Sequence, residues 1–168
     1  MGVVIAYRKE RIVIASAYAF SAFLLLTFVP KNKIRYAIVP FLFKQVITWF
    51  FGLLVVEKKL IKYPYRPFFT NTYKASFCFE YIFYPVICVL YNLYYPAKKG
   101  ITVKAMYCFF YTSIMTSLEV LFVKYTKLIR YNNWHWYWSF ISMCISNYTS
   151  HVFYKWFFKN DLEKFDGL

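Results

Sequence analysis

Four ionisable side chains, Lys44, Glu80, Glu119 and His151, lie within long apolar runs of a 168-residue chain. Ionisable groups are costly in an apolar setting, so each marks a site, a proton relay or an ion pair. Glu80 falls early in one apolar run and Glu119 late in the next. If both runs are membrane helices they are antiparallel, which brings the two carboxylates to a similar depth. Carboxylates held close together share a proton or take up a cation. The alternative is that each reaches the nearby interface and pairs with Lys74 or Lys124. Lys44 lies deeper and shares a helix face with Thr48 and Gly52, with Gln45 beside it. Glu80 is its nearest counter-ion by depth, although the lean of helical side chains toward the N-terminus works against that pair.

Other polar positions read as packing. Ser142, Ser146 and Ser150 recur every four residues, a spacing of small side chains that lets two helices approach closely, and Asn147 and His151 repeat it on the adjoining stripe. Tyr84-Pro85 interrupts the run that contains Glu80. Pro85 lacks an N–H and should kink a helix there, leaving the Tyr81 carbonyl for a donor from Thr, Ser or Lys44 across the bundle.

Known catalytic and cofactor patterns are absent. The chain contains no phosphate-binding or dinucleotide glycine loop, no HExxH and no GxSxG, so no catalytic residue is assigned. His135 and His151 stand sixteen residues apart on one predicted helix and cannot flank one haem iron. The four cysteines, Cys78, Cys88, Cys108 and Cys144, sit in apolar runs without CxxC spacing and read as small packing residues. Neither metal nor cofactor is expected. Asn147-Tyr148-Thr149 fits a glycosylation sequon but falls inside an apolar run.

Five apolar segments must carry these residues: about 12–29, 36–56, 75–95, 105–123 and 136–158. Each approaches the ~20 residues that cross a bilayer as a helix. The chain is 61% hydrophobic and 26% aromatic, with a mean hydropathy of +0.41, against roughly 45–50% apolar in soluble domains. The reading is an all-α integral membrane bundle of about five transmembrane helices, forming a single domain over residues 1–168. Its first segment is too long for the apolar core of a signal peptide. Trp134, Trp136 and Trp138 stand at one end of the fifth segment and Trp156 at the other. Trp138 and Trp156 are about 27 Å apart along a helix at ~1.5 Å per residue, so these tryptophans read as anchors at the two interfaces. The longest connection, residues 57–74, contains Tyr63-Pro64-Tyr65-Arg66-Pro67-Phe68-Phe69 and is expected in the headgroup layer.

The formal net charge is +14, from 21 Lys+Arg against 7 Asp+Glu. The cations form short clusters between apolar runs, as in membrane-protein loops that meet anionic lipid headgroups, and nucleic-acid binding is not expected. With five spans the N-terminus and the second and fourth connections share a side carrying 11 Lys+Arg, against 9 on the other. The positive-inside rule then leans to a cytoplasmic N-terminus.

Several strings in the chain, Phe43-Lys44-Gln45 with Thr48-Trp49, Phe79-Glu80-Tyr81 with Tyr84-Pro85, Asn92-Leu93-Tyr94-Tyr95-Pro96, Glu119-Val120-Leu121 with Lys124-Tyr125-Thr126, and Trp134-His135-Trp136-Tyr137-Trp138, together resemble an uncharacterised family of small multi-pass membrane proteins of endospore-forming Bacillota. The resemblance runs from about Pro30 to Phe158. It implies a bacterial inner membrane, with an association to the spore, and no assigned activity. The first functional expectation is a non-enzymatic subunit or scaffold. It would contact a membrane-protein partner or its own copies through the serine-lined fifth segment or the Tyr/Pro-rich connection. The alternative is a small-solute or proton-coupled transport component using Lys44, Glu80 and Glu119. A lipid-modifying enzyme is third.

Overall fold

A computed structural model describes residues 7–67 and 78–159. The fold is all-α. Helix α1 spans Arg8–Phe28 and α2 spans Ile34–Glu57, separated by a 3-10 turn at Lys31–Lys33. A π-helical turn at Phe79–Phe83 runs directly into α3, Tyr84–Leu93; α4 is Ile101–Tyr125 and α5 is Trp136–Phe157. Two short strands, β1 (Ile61–Lys62) and β2 (Arg130–Tyr131), pair antiparallel. The start of the third expected segment, residues 75–77, lies outside the described residues, as do Lys74, Phe68 and Phe69.

Local sequence explains where these elements stop and bend. Val29 is extended (φ −108°, ψ 98°), as the residue before Pro30 must be, and this ends α1. Helix α2 begins at Ile34, two residues before the apolar stretch, because helical hydrogen bonding continues into the polar flank. Pro40 therefore lies inside the helix.

Inward faces are narrow and rich in small or polar residues. On α1 the buried positions are Glu10, Ile14, Ala17, Ser21 and Leu24, spaced alternately by four and three, the stripe of a helix facing one neighbour. On α4 they are Thr112, Met115, Thr116 and Glu119. Helix α3 is buried on nearly every side, through Pro85, Val86, Cys88, Val89, Leu90, Tyr91 and Asn92, and forms the axis of the bundle. Helices α1, α2 and α5 pack against it, and α4 packs along α5.

Outward faces are apolar. Leu26, Phe50, Ile101, Phe109, Phe110, Ile145 and Trp156 are among many large apolar side chains exposed on the four long helices. This inside-out pattern, with charge buried and Leu, Ile and Phe outside, has no explanation in water and a simple one in lipid. Three helices, Arg8–Phe28, Lys31–Glu57 (the 3-10 turn with α2) and Ile101–Tyr125, are long and apolar enough to cross a membrane. The protein is accordingly compatible with a membrane location.

Contacts seal one end of the bundle with the start of α1 and two connections. The β1–β2 ribbon joins the segment after α2 to the segment after α4. Asn132 N–H donates to the Leu60 carbonyl (2.9 Å) and Tyr65 N–H to that of Lys127 (3.2 Å). The Glu10 carboxylate accepts from Lys127 N–H at 2.9 Å, and Tyr7 stacks on Tyr65 at 4.8 Å. At the opposite end Tyr94 donates to the Phe28 carbonyl (2.8 Å) and Tyr36 packs on Phe158 (4.6 Å).

Candidate functional site

Lys44, Glu80 and Glu119 are 4%, 3% and 6% exposed and line one cavity of about 120 Å³. Thr48, Gly52, Tyr84, Ser139, Ser142, Ser146, Asn147 and Trp134 line it as well. An apolar cavity of about 150 Å³ accepts benzene, so this chamber has the scale of a small organic molecule or several waters. Helix α2 supplies the Lys44, Thr48 and Gly52 face, the π turn supplies Glu80, α4 supplies Glu119, and α5 supplies the serines and Asn147.

Lys44 is held by α5. Its ammonium donates to Asn147 Oδ1 at 2.9 Å and to Ser146 Oγ at 2.5 Å. Glu80 is its nearest counter-ion by depth, but the lean of the lysine toward the start of α2 carries its ammonium away from the Glu80 level, to a pair of neutral acceptors. Asn147, read from the sequence as packing, is thus a direct partner of the deepest charge. The signal was present: an Asn inside an apolar run has to satisfy four hydrogen-bonding positions.

Glu119 is built into a network of donors. One carboxylate oxygen accepts from Tyr131 OH at 2.5 Å and from Ser139 Oγ at 2.7 Å, and the Tyr84 hydroxyl adds a further hydrogen bond. Ser139 can give its proton to Glu119 because it accepts in turn from Trp134 Nε1 at 2.8 Å. Burial, then the adjacent carboxylate, pushes the Tyr131 phenol well above its usual value, so it stays a donor at physiological pH. Lys124, the partner expected from spacing, instead lies over the Tyr125 ring at 5.5 Å. Trp134 is half-buried and lines the chamber, whereas Trp136, Trp138 and Trp156 are exposed.

Glu80 lies against Gly52. A Cβ at Gly52 would come within 2.6 Å of the Glu80 carboxyl carbon, so only glycine leaves room for the carboxylate there. The π turn that carries Glu80 adjoins Pro85, which has no N–H for the carbonyl four residues back in α register or five back in π register. Those two carbonyls are Tyr81 and Glu80, and α2 satisfies both. Gln45 Nε2 donates to Tyr81 O at 2.6 Å and Thr48 Oγ1 to Glu80 O at 2.7 Å. The expected cross-bundle donor to Tyr81 is therefore Gln45, not Thr, Ser or Lys44, and Thr48 serves the neighbouring carbonyl.

His151 belongs to a separate cluster at the other end. Its Nδ1 lies 3.2 Å from Asn92 Oδ1 and its ring stacks on Tyr95 at 3.6 Å. Asn92 Nδ2 donates to Ser150 Oγ (3.1 Å), which lies 3.0 Å from Cys88 Sγ. The serine stripe is thus used within the chain: Ser146 serves Lys44, Ser150 serves Asn92, and Ser142 donates to the Ser139 carbonyl (3.0 Å) and lines the chamber. All four cysteines are free thiols. No group of three or more His, Cys, Asp or Glu side chains close enough to hold a metal occurs among the described residues. No protein-family model, curated protein or solved structure matches this chain, so the chemistry of the site is read from its own geometry.

Proposed function

We propose that this chain is a five-span protein of a bacterial inner membrane whose internal chamber receives a small solute, as a component of small-solute or proton-coupled transport. The observation that carries this reading is the meeting of Lys44, Glu80 and Glu119, from three different elements, around one cavity. A bundle needing only mechanical stability is served as well by apolar residues there, because buried charges seldom stabilise more than well-packed hydrophobic ones.

Two segments beyond the three most apolar helices complete the five spans. Helix α5 has low average hydropathy because its inner face holds Ser139, Asn147, Ser150 and His151, while its outer face carries Trp136, Ile141, Ile145, Tyr148, Val152 and Trp156. Its outer face is thus largely apolar, with Ser142, Thr149 and Lys155 exposed among these residues. The π turn with α3 runs from Phe79 to Leu93 and is shielded by its neighbours, so it needs no lipid-facing surface.

The scaffold reading ranks second, since Ser146 and Ser150 are spent on contacts inside the bundle. The bacterial inner membrane rests on the resemblance of the aromatic strings, with the positive-inside rule placing the sealed end on the cytoplasmic side. Native mass spectrometry of the protein extracted from its own membrane tests the two readings. A chain carrying a defined small molecule, lost in Glu119→Gln, is the expected result. A stoichiometric protein partner with an empty chamber would overturn transport in favour of a scaffold.

A further inference from the structure

We propose that the chamber binds a short ω-amino acid, a zwitterion whose carboxylate meets Lys44 and whose ammonium meets Glu119. This rests on the reading of the chamber as a solute site and names the class of solute.

Among the described residues, Lys44 and Glu119 are buried charges held by neutral groups. The Lys44 ammonium has three N–H donors and gives two of them, to Ser146 Oγ and Asn147 Oδ1. The third remains for the chamber that Lys44 lines. The Glu119 carboxylate accepts from the hydroxyls of Tyr131, Ser139 and Tyr84. Tyr131 and Ser139 share one of its oxygens, and a carboxylate offers about four acceptor positions. Glu80 is engaged separately and is the counter-ion of neither.

A buried ion without an opposite charge is costly, and supplying that charge relieves the cost. An anion would serve Lys44 and leave Glu119 as it was. A cation would serve Glu119 and leave Lys44. A zwitterion of the right length serves both and leaves the net charge of the chamber unchanged.

Helix α5 sets that length. Ser139 holds Glu119 and Ser146 holds Lys44. Those serines are seven residues apart, close to two turns, so they lie on one face of α5 about 10 Å apart. A charge-assisted hydrogen bond of about 3 Å at each end leaves about 4 Å between the ligand's nitrogen and its carboxylate oxygen. In an α-amino acid those atoms are roughly 3 Å apart by covalent geometry, and one or two further methylenes cover the difference. Met143 lies between the two serines along α5, and Met115 lies one turn before Glu119 on α4. Both line the cavity and suit contact with methylene groups. The volume agrees as well. 3-Aminopropionate has as many non-hydrogen atoms as benzene, and the cavity of about 120 Å³ approaches the roughly 150 Å³ that accepts benzene.

Isothermal titration of the full chain in lipid nanodiscs tests this. The probes are 3-aminopropionate and 4-aminobutyrate, with 2-aminopropionate, propionate and n-propylammonium as controls. At least one ω-amino acid should bind about tenfold or more tightly than every control. The control 2-aminopropionate carries the same two charges at a shorter spacing, so it isolates length from charge. Lys44→Met should remove the preference over propylammonium, and Glu119→Gln the preference over propionate, each at a melting temperature close to wild type. The comparison of probes is made on the wild-type chain, so it stands even where a variant fails to fold. Equal or tighter binding of any control overturns the ω-amino acid assignment while leaving the chamber as a solute site. Absence of binding by all five probes also overturns it; native spectra without a small molecule would then remove the solute site as well.

Discussion

Asn147 is the residue on which the buried charge of Lys44 depends. It supplies the carbonyl oxygen that accepts from the ammonium at 2.9 Å, in a position with almost no solvent access. Removing one partner of a buried charged hydrogen bond leaves the other uncompensated. Asn147→Ala should destabilise the protein by about 2–3 kcal/mol, and Lys44→Met combined with Asn147→Leu should cost clearly less than the sum of the single changes. Thermal unfolding of the four proteins in one detergent checks this; strict additivity would place the ammonium elsewhere. Gly52 gives a second residue-scale prediction. Gly52→Ala should favour the helix by up to about 1 kcal/mol through propensity while driving the Glu80 carboxylate from its place. Thermal stability should therefore be kept, and the small molecule expected in native mass spectra of the wild type lost.

Pro85 and its two rescuers act at the scale of the element. The π turn survives because Gln45 and Thr48 occupy the carbonyls that Pro85 leaves without an N–H. Gln45→Leu should cost about 1–2 kcal/mol in the native chain and measurably less in a Pro85→Ala background, where the helix regains its own donor; a denaturation cycle over the four variants reads the coupling. The packing of α4 on α5 has an equally local reporter. Cys108 Sγ and Cys144 Sγ are 3.3 Å apart and both thiols are free. A membrane-permeant thiol oxidant should join them, so that cleavage in the 126–135 connection no longer separates the two helices on a non-reducing gel. Failure of that link would mean a different register between α4 and α5.

At the scale of the whole molecule, buried charge lies inside and hydrocarbon outside, and one end is closed by the start of α1, the β1–β2 ribbon and the Glu10–Lys127 contact. Single cysteines at Lys9, Lys62 and Asn133, introduced into a cysteine-free background, should react with an impermeant thiol reagent from one side of the membrane. Cysteines at Asn32 and Lys99 should react from the other. Labelling of Lys62 and Lys99 positions from the same side would remove the five-span arrangement. Tyr131 and Trp134, which hold or roof the Glu119 network, belong to that closed end.

Composition and hydropathy alone determined much of this. An apolar, aromatic-rich chain must be helical in lipid because every backbone N–H needs a partner within its own segment. Buried Lys44, Glu80 and Glu119 announced themselves because charge in such runs is conspicuous. Which groups they meet was decided by tertiary structure. Lys44 bonds to residues 102 and 103 positions away, and periodicity carries no information on the rotation of α2 against α5. Glu119 found Tyr131 and Ser139 in place of the nearer Lys124, because a buried carboxylate is satisfied by whichever donors its helix is turned toward. The serine stripe was legible as spacing, but its neighbours were not: small residues at four-residue intervals accommodate any close helix, and only packing brought Ser146 to Lys44 of α2 and Ser150 to Asn92 of α3.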